Sequence, residues 1–187
     1  MFWTLIEILG VISGLACVYL ASQKNIWTWP VGIVNVILYF FLFMHSGLYA
    51  VMSLQIFFLV LSIYGWIKWG RTSTHYYYGT QLDAMQYVFL MLLIIMFIIN
   101  IAAIMIAFNI QLSEFNLILD VTILVVSIFA TILMAEKILD SWYLWIFVNL
   151  ISIVLFTIHG LYFLSAQCTI FIILDIQGIK KWKKTEI

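Results

Sequence analysis

Residues 47–69 read GLYAVMSLQIFFLVLSIYGWIKW, and residues 160–182 read GLYFLSAQCTIFIILDIQGIKKW. Superimposed at an offset of 113, the two stretches agree at nine of 23 positions, among them Gly47/Gly160, Tyr49/Tyr162, Gly65/Gly178 and Trp69/Trp182. Composition alone would produce roughly two or three agreements, so this is an internal repeat. The same offset pairs Glu7 with Asp120, Lys24 with Lys137 and Trp29 with Trp142, and a one-residue shift pairs Asn35 with Asn149.

The repeat is set in a chain of 187 residues that is 66% hydrophobic and 9% charged. Soluble domains are about 45–50% apolar and about 25% charged, so the composition is that of an integral membrane protein. Apolar stretches near 20 residues long are helices rather than barrel strands. Seven are expected, over residues 2–21, 28–45, 48–67, 84–108, 116–135, 141–159 and 161–179. No basic amino-terminal region with a small-residue cleavage site precedes the first, so that span is expected to be retained. The loop from Arg71 to Asp83, with Tyr76, Tyr77 and Tyr78, is expected at the membrane interface.

Spans 1–3 therefore repeat as spans 5–7, with span 4 as an inserted linker. The chain divides into a first three-helix bundle (1–69), a loop and linker helix (70–115), and a second bundle with a basic tail (116–187). Equivalent helices lie four spans apart, so the halves point the same way. Parallel repeats of this kind are a transporter architecture, with the substrate site near the midplane between the halves.

Seven spans place every Lys and Arg on one side: Lys24, Lys68, Arg71, Lys137, and Lys180, Lys181, Lys183 and Lys184 in the tail. The positive-inside rule makes that side cytoplasmic, with the amino terminus outside and the carboxyl terminus inside. Formal net charge is zero, which argues against a nucleic-acid partner.

In span 6 the run SWYLWIFVNL puts Trp142, Trp145 and Asn149 at i, i+3 and i+7, on one helical face. This run, with WPVGIVNVILYFFLFMHSGLYAVMSLQIFFLVLSIYGWIKW, resembles the PnuC family of bacterial vitamin transporters over essentially the whole chain. The W-x-x-W-x-x-x-N pattern is similar to the substrate-binding motif of the nicotinamide riboside members. The resemblance implies a bacterial inner-membrane protein with a 3+1+3 helix fold related to the SWEET facilitators. It also implies a homotrimer, and facilitated diffusion followed by trapping through a separate cytosolic kinase. Relatives carry thiamine, the alternative substrate, and others riboflavin.

Nicotinamide riboside and thiamine both present a flat, fixed cation and hydroxyls. Indoles attract such a ring by about 0.5–2 kcal/mol per contact, and amides both donate to and accept from hydroxyls. Trp142 and Trp145 are the expected stackers and Asn149 the hydroxyl reader; the other reading of Trp142 is an interface anchor. Asn35, Tyr39 and Gln55 in the first half, and Gln167 in the second, are further candidates. Any of these amides can instead bond a neighbouring helix, the reading preferred for Gln177 and for Asn100. Glu7 and Asp120 are intramembrane acids expected to attract a cation at an outer vestibule, or simply to meet water there. Asp175 is expected to pair with the tail lysines. Gly10 and Gly14 form a G-x-x-x-G that permits close packing, and Pro30 fits the first turn of span 2.

Other classes lack their signatures. No H-E-x-x-H, G-x-S-x-G or ATP-binding glycine loop occurs, and His45, His75 and His159 form no ligand set. No enzyme, cofactor or metal is expected, and Cys17 and Cys168 are expected as core thiols without a disulfide. A retinal protein would need a lysine in mid-span 7, whereas Lys180 stands at the membrane edge.

Overall fold

The computed structural model describes residues 2–45, 49–71, 80–107, 114–158 and 162–183. Gly47, Gly160, His75, Tyr76, Tyr77, Tyr78, His159 and Lys184 lie outside them.

Seven helices follow in order: α1 (Phe2–Ser22), α2 (Thr28–His45), α3 (Tyr49–Arg71), α4 (Ala84–Ala107), α5 (Glu114–Ala135), α6 (Asp140–Ile158) and α7 (Tyr162–Lys183). Among the described residues, α1, α2, α4, α5, α6 and α7 each contain a segment long and apolar enough to cross a bilayer. The expected spans agree with these helices to within a few residues at most ends. The third and seventh run about one turn further than expected, because their lysines continue the helix past the apolar stretch.

Six of the helices close a ring. Neighbours pack in the order α1, α2, α3, α5, α6, α7 and back to α1, while α4 packs outside against α5. Outward-facing Ile12, Val34, Phe57, Val60 and Val154 are exposed, as lipid-facing residues must be. The core under α4 is a layer of Leu90 and Ile94 against Val121, Val125 and Val126 of α5 and Leu144 and Val148 of α6. Asp83 caps α4: its carboxylate accepts from the Gln86 amide at 2.8 Å, and Gln86 Oε1 accepts from the Asp83 amide at 3.1 Å. Asp140, at the start of α6, accepts from the Leu82 amide at 2.8 Å and anchors the approach to α4.

The sequence repeat is also a repeat of backbone geometry. Lys24 after α1 and Lys137 after α5 both adopt left-handed conformations, with φ of 59° and 62°. Each closes its helix with the same pair of bonds. The Asn25 amide reaches the Leu20 carbonyl and the Lys24 amide the Ala21 carbonyl; the Ile138 amide reaches Leu133 and the Lys137 amide Met134, all at 3.0 Å. This is the Schellman stop, at a position where glycine is the usual residue.

Aromatic packing repeats as well. Trp29 covers Gly65 and Trp142 covers Gly178, so closely that a Cβ on the glycine would stand 2.5 Å or 2.7 Å from the ring. Trp29 meets Trp69 edge-on at 5.4 Å and 87°, and Trp142 meets Trp182 at 5.4 Å and 87°. Trp69 and Trp182 then meet each other at 6.2 Å. The four indoles form one buried row across the lysine-bearing end of the ring.

Candidate functional site

The inward face of α3 carries Gln55, Phe58, Ser62, Gly65 and Trp69 at heptad-like spacing. Repeat-equivalent positions on α7 are Cys168, Phe171, Asp175, Gly178 and Trp182. The phenylalanine, glycine and tryptophan positions are identical, and they build the shared frame. The two positions that differ, Gln55/Cys168 and Ser62/Asp175, are where the ring interior changes its chemistry from one half to the other.

Above the tryptophan row, α1, α2 and α7 meet in a polar knot. Asn35 donates its amide to the Gly10 carbonyl at 2.7 Å and to Ser13 Oγ at 3.0 Å. Tyr39, one turn further on α2, donates its hydroxyl to Gln167 Oε1 at 3.4 Å. The glycines of α1 make the room. A Cβ on Gly10 would stand 2.9 Å from the Tyr39 ring, and one on Gly14 would stand 3.2 Å from Gln167 Nε2 and 3.3 Å from Asn35 Nδ2. Gly10-x-x-x-Gly14 thus admits polar side chains from two neighbouring helices.

A second knot joins α6 to α7. Asn149, at the middle of α6, donates its amide to Asp175 Oδ2 at 2.9 Å, and both residues are buried. Asp175 is 2% exposed, and among the described residues the expected pairing with the tail lysines does not occur. The reason is helical phase. Asp175, Gly178 and Trp182 share one face, that face turns into the ring, and Lys180, Lys181 and Lys183 turn away from it. The pairing of Gly178 and Trp182 with Gly65 and Trp69 already carried that signal.

Trp145 lies one turn before Asn149 and is partly buried, its ring 6.5 Å from Phe58 on α3. Tyr39 to Gln167 and Phe58 to Trp145 thus both reach between helices that are not ring neighbours. No comparable ring fits the equivalent place in the first half. That position is Gly32, where a Cβ would already lie 3.3 Å from Cys17 Sγ and 3.7 Å from Ser62 Oγ.

Other expected site residues are distributed differently. Trp142 is 1% exposed and sealed between Gly178 and Trp182, so its faces are not free to stack on a ligand. The i, i+3 spacing puts Trp142 and Trp145 on one side of α6, and in this structure the Trp142 ring is seated on Gly178 while Trp145 is only partly buried. What Trp142 keeps is an indole N–H without a partner among the described residues, a property it shares with its repeat mate Trp29. Gln55 is buried on α3, two turns before Ser62. Glu7 and Asp120 are exposed, on α1 and α5. Asn100 donates to the Met96 carbonyl of its own helix at 2.7 Å and, among the described residues, bonds no neighbouring helix, because it lies on an exposed face of α4. Gln177 is exposed.

Among the described residues no group of His, Cys, Asp and Glu could hold a metal ion. Amides, one phenol, one carboxylate and one half-open indole can bind a polar, aromatic solute. They supply no activated nucleophile.

Residues 4–184 match the family described as nicotinamide mononucleotide transporter. The nicotinamide riboside transporter PnuC of Escherichia coli (strain K12) is 30% identical over 201 residues, covering 95% of this chain and 84% of that protein. The protein of the same name in Shigella flexneri is also 30% identical, with the same coverage. A crystal structure of the vitamin B3 transporter PnuC has the same fold, with a TM-score of 0.75 at 22% identity, over 97% of this chain and 82% of that one.

Proposed function

The chain belongs to the nicotinamide mononucleotide transporter family, as a multi-pass bacterial inner-membrane transporter of the PnuC type and not an enzyme, and from that premise we propose that it takes up nicotinamide riboside. The observation that carries the proposal is the set of side-chain links inside the six-helix ring, Tyr39 to Gln167, Asn149 to Asp175 and Phe58 to Trp145. They put amides and an aromatic face near mid-helix, where a ribosylated pyridinium needs hydroxyl partners and a stacking surface.

In this reading the chain is organised as 3+1+3: a bundle of 1–69, a loop and linker helix of 70–115, and a bundle of 116–187. Trp145 stacks on the ring, and Asn149, Asn35, Tyr39, Gln55 and Gln167 read the ribose. Trp142 contributes its indole N–H. Glu7 and Asp120 draw the cation to the outer mouth. The two bundles rock about the site, exposing it to each side in turn. The amino terminus lies outside and the carboxyl terminus inside, which the lysines at one end of the ring support. Movement follows the concentration gradient, a cytosolic kinase traps the product, and the working unit is a homotrimer.

Calorimetry on the purified protein, comparing nicotinamide riboside with thiamine and wild type with Trp145→Ala, tests the proposal. Nicotinamide riboside binding that is lost in the variant is expected. Binding of thiamine alone would move the substrate to the other cationic vitamin.

A further inference from the structure

Among the described residues Asp175 is the only charged one on the paired inward faces of α3 and α7, and the first repeat holds uncharged Ser62 in its place. The asymmetry extends to its partner. Asn35 in the first half is tied to α1, through the Gly10 carbonyl and Ser13. Asn149, its repeat mate, instead holds a carboxylate. Among the described residues Asp175 has this one hydrogen-bond partner and no lysine or arginine beside it.

Burying an acid with one neutral partner is costly, and a helix contact alone does not require it: serine occupies the same position of the first repeat. A cationic ligand would balance that charge. Asp175 stands seven residues before Trp182, about 10 Å above the tryptophan row, and it is bonded to an amide one turn from Trp145. A flat cation stacked on Trp145 would share the ring interior with this carboxylate, in surroundings where charge pairs are only weakly screened.

We infer that Asp175, held in place by Asn149, is the residue that selects for positive charge on the transported ring. The inference rests on the functional reading above and sharpens it: Trp145 supplies the aromatic surface, and Asp175 sets the preference for a cationic over a neutral ring. The indole alone would accept either, with a smaller bias.

Nicotinamide riboside and its 1,4-dihydro form test this directly, because they differ in ring charge and little in size. Wild-type protein is expected to bind the cation at least about tenfold more tightly than the neutral form. Asp175→Asn, which keeps the size and a hydrogen bond to Asn149, is expected to lose about tenfold or more for the cation and little for the dihydro form. A purely structural role would weaken both equally. Equal wild-type affinities, or an unchanged ratio in Asp175→Asn, would overturn the inference while leaving nicotinamide riboside as the substrate. The wild-type comparison stands even if the variant does not fold. Wild-type protein that binds neither nicotinamide riboside nor thiamine would overturn the functional reading, and the inference with it.

Discussion

Trp69 donates its indole N–H to the carbonyl oxygen of Ala135, 3.1 Å away in the other half of the repeat. The mirror bond runs from Trp182 to Ala21 at 3.2 Å. Each half therefore inserts the last tryptophan of its third helix beneath the end of the other half's first helix. Both carbonyls lie at the end of their helix, and the Ala21 oxygen takes the indole beside its bond from the Lys24 amide, so the insertion costs no intrahelical bond. Reciprocal insertion makes this end of the ring a single self-complementary joint.

Trp69→Phe and Trp182→Phe are accordingly expected to destabilise the purified protein by similar amounts, about 1 kcal/mol each from the lost bond, and somewhat more with the lost ring contact. The rings touch, so the double variant is expected to depart from additivity. Thermal unfolding in detergent reads both effects. A large loss for one variant and none for the other would refute the reciprocal joint.

Gly65→Ala and Gly178→Ala test the tryptophan–glycine seats. A Cβ at 2.5–2.7 Å from an indole held on its other side cannot be absorbed by a rotamer change. An overpacking penalty of about 1–3 kcal/mol is expected at each. Gly70→Ala is the control, since among the described residues its Cβ would meet only Ile26 at 3.6 Å. A lowered melting temperature in the first two and not in the third is the expected pattern.

One inter-half contact is ionic and not repeated. Lys68 of α3 pairs with Glu136, which also accepts from the Tyr64 hydroxyl at 2.6 Å. Partial burial pushes the Glu136 carboxyl up, but the bonds from Lys68 and Tyr64 outweigh it and leave the pKa below the usual value. A lowered folded-state pKa contributes stability above the ordinary glutamate range and loses it as pH falls through the folded value. Both side chains are 33% exposed, so the contribution is at most about 1 kcal/mol. Wild type minus Glu136→Gln stability is therefore expected to be small and positive at pH 7 and to fade as pH falls from the ordinary glutamate range through the lowered folded-state value. A difference that persists in acid would show that Glu136 acts through packing.

Much of this architecture is legible in the sequence, because a bilayer permits few solutions. The Gly47 and Gly160 stretches reveal the repeat, and lysine placement suggests which ends lie together. Side-chain direction is less legible. Trp142 and Trp145 look equivalent on a helical wheel, and only the seat at Gly178 separates the buried ring from the partly open one. Asp175 looks like a partner for the tail lysines by proximity in sequence. Its phase with Gly178 and Trp182 places it inside the ring. Asn100 shows the opposite failure, since an amide in an apolar span need not face a neighbouring helix when its own i−4 carbonyl is within reach.

Uptake by proteoliposomes containing only this protein tests the central claim most directly. With labelled nicotinamide riboside outside, no nucleotide, and no ion or pH gradient, the account predicts equilibration to equal concentrations inside and outside. Trp145→Ala should slow it strongly. No uptake, or uptake that requires an imposed proton gradient, would contradict facilitated movement of the vitamin through the six-helix ring.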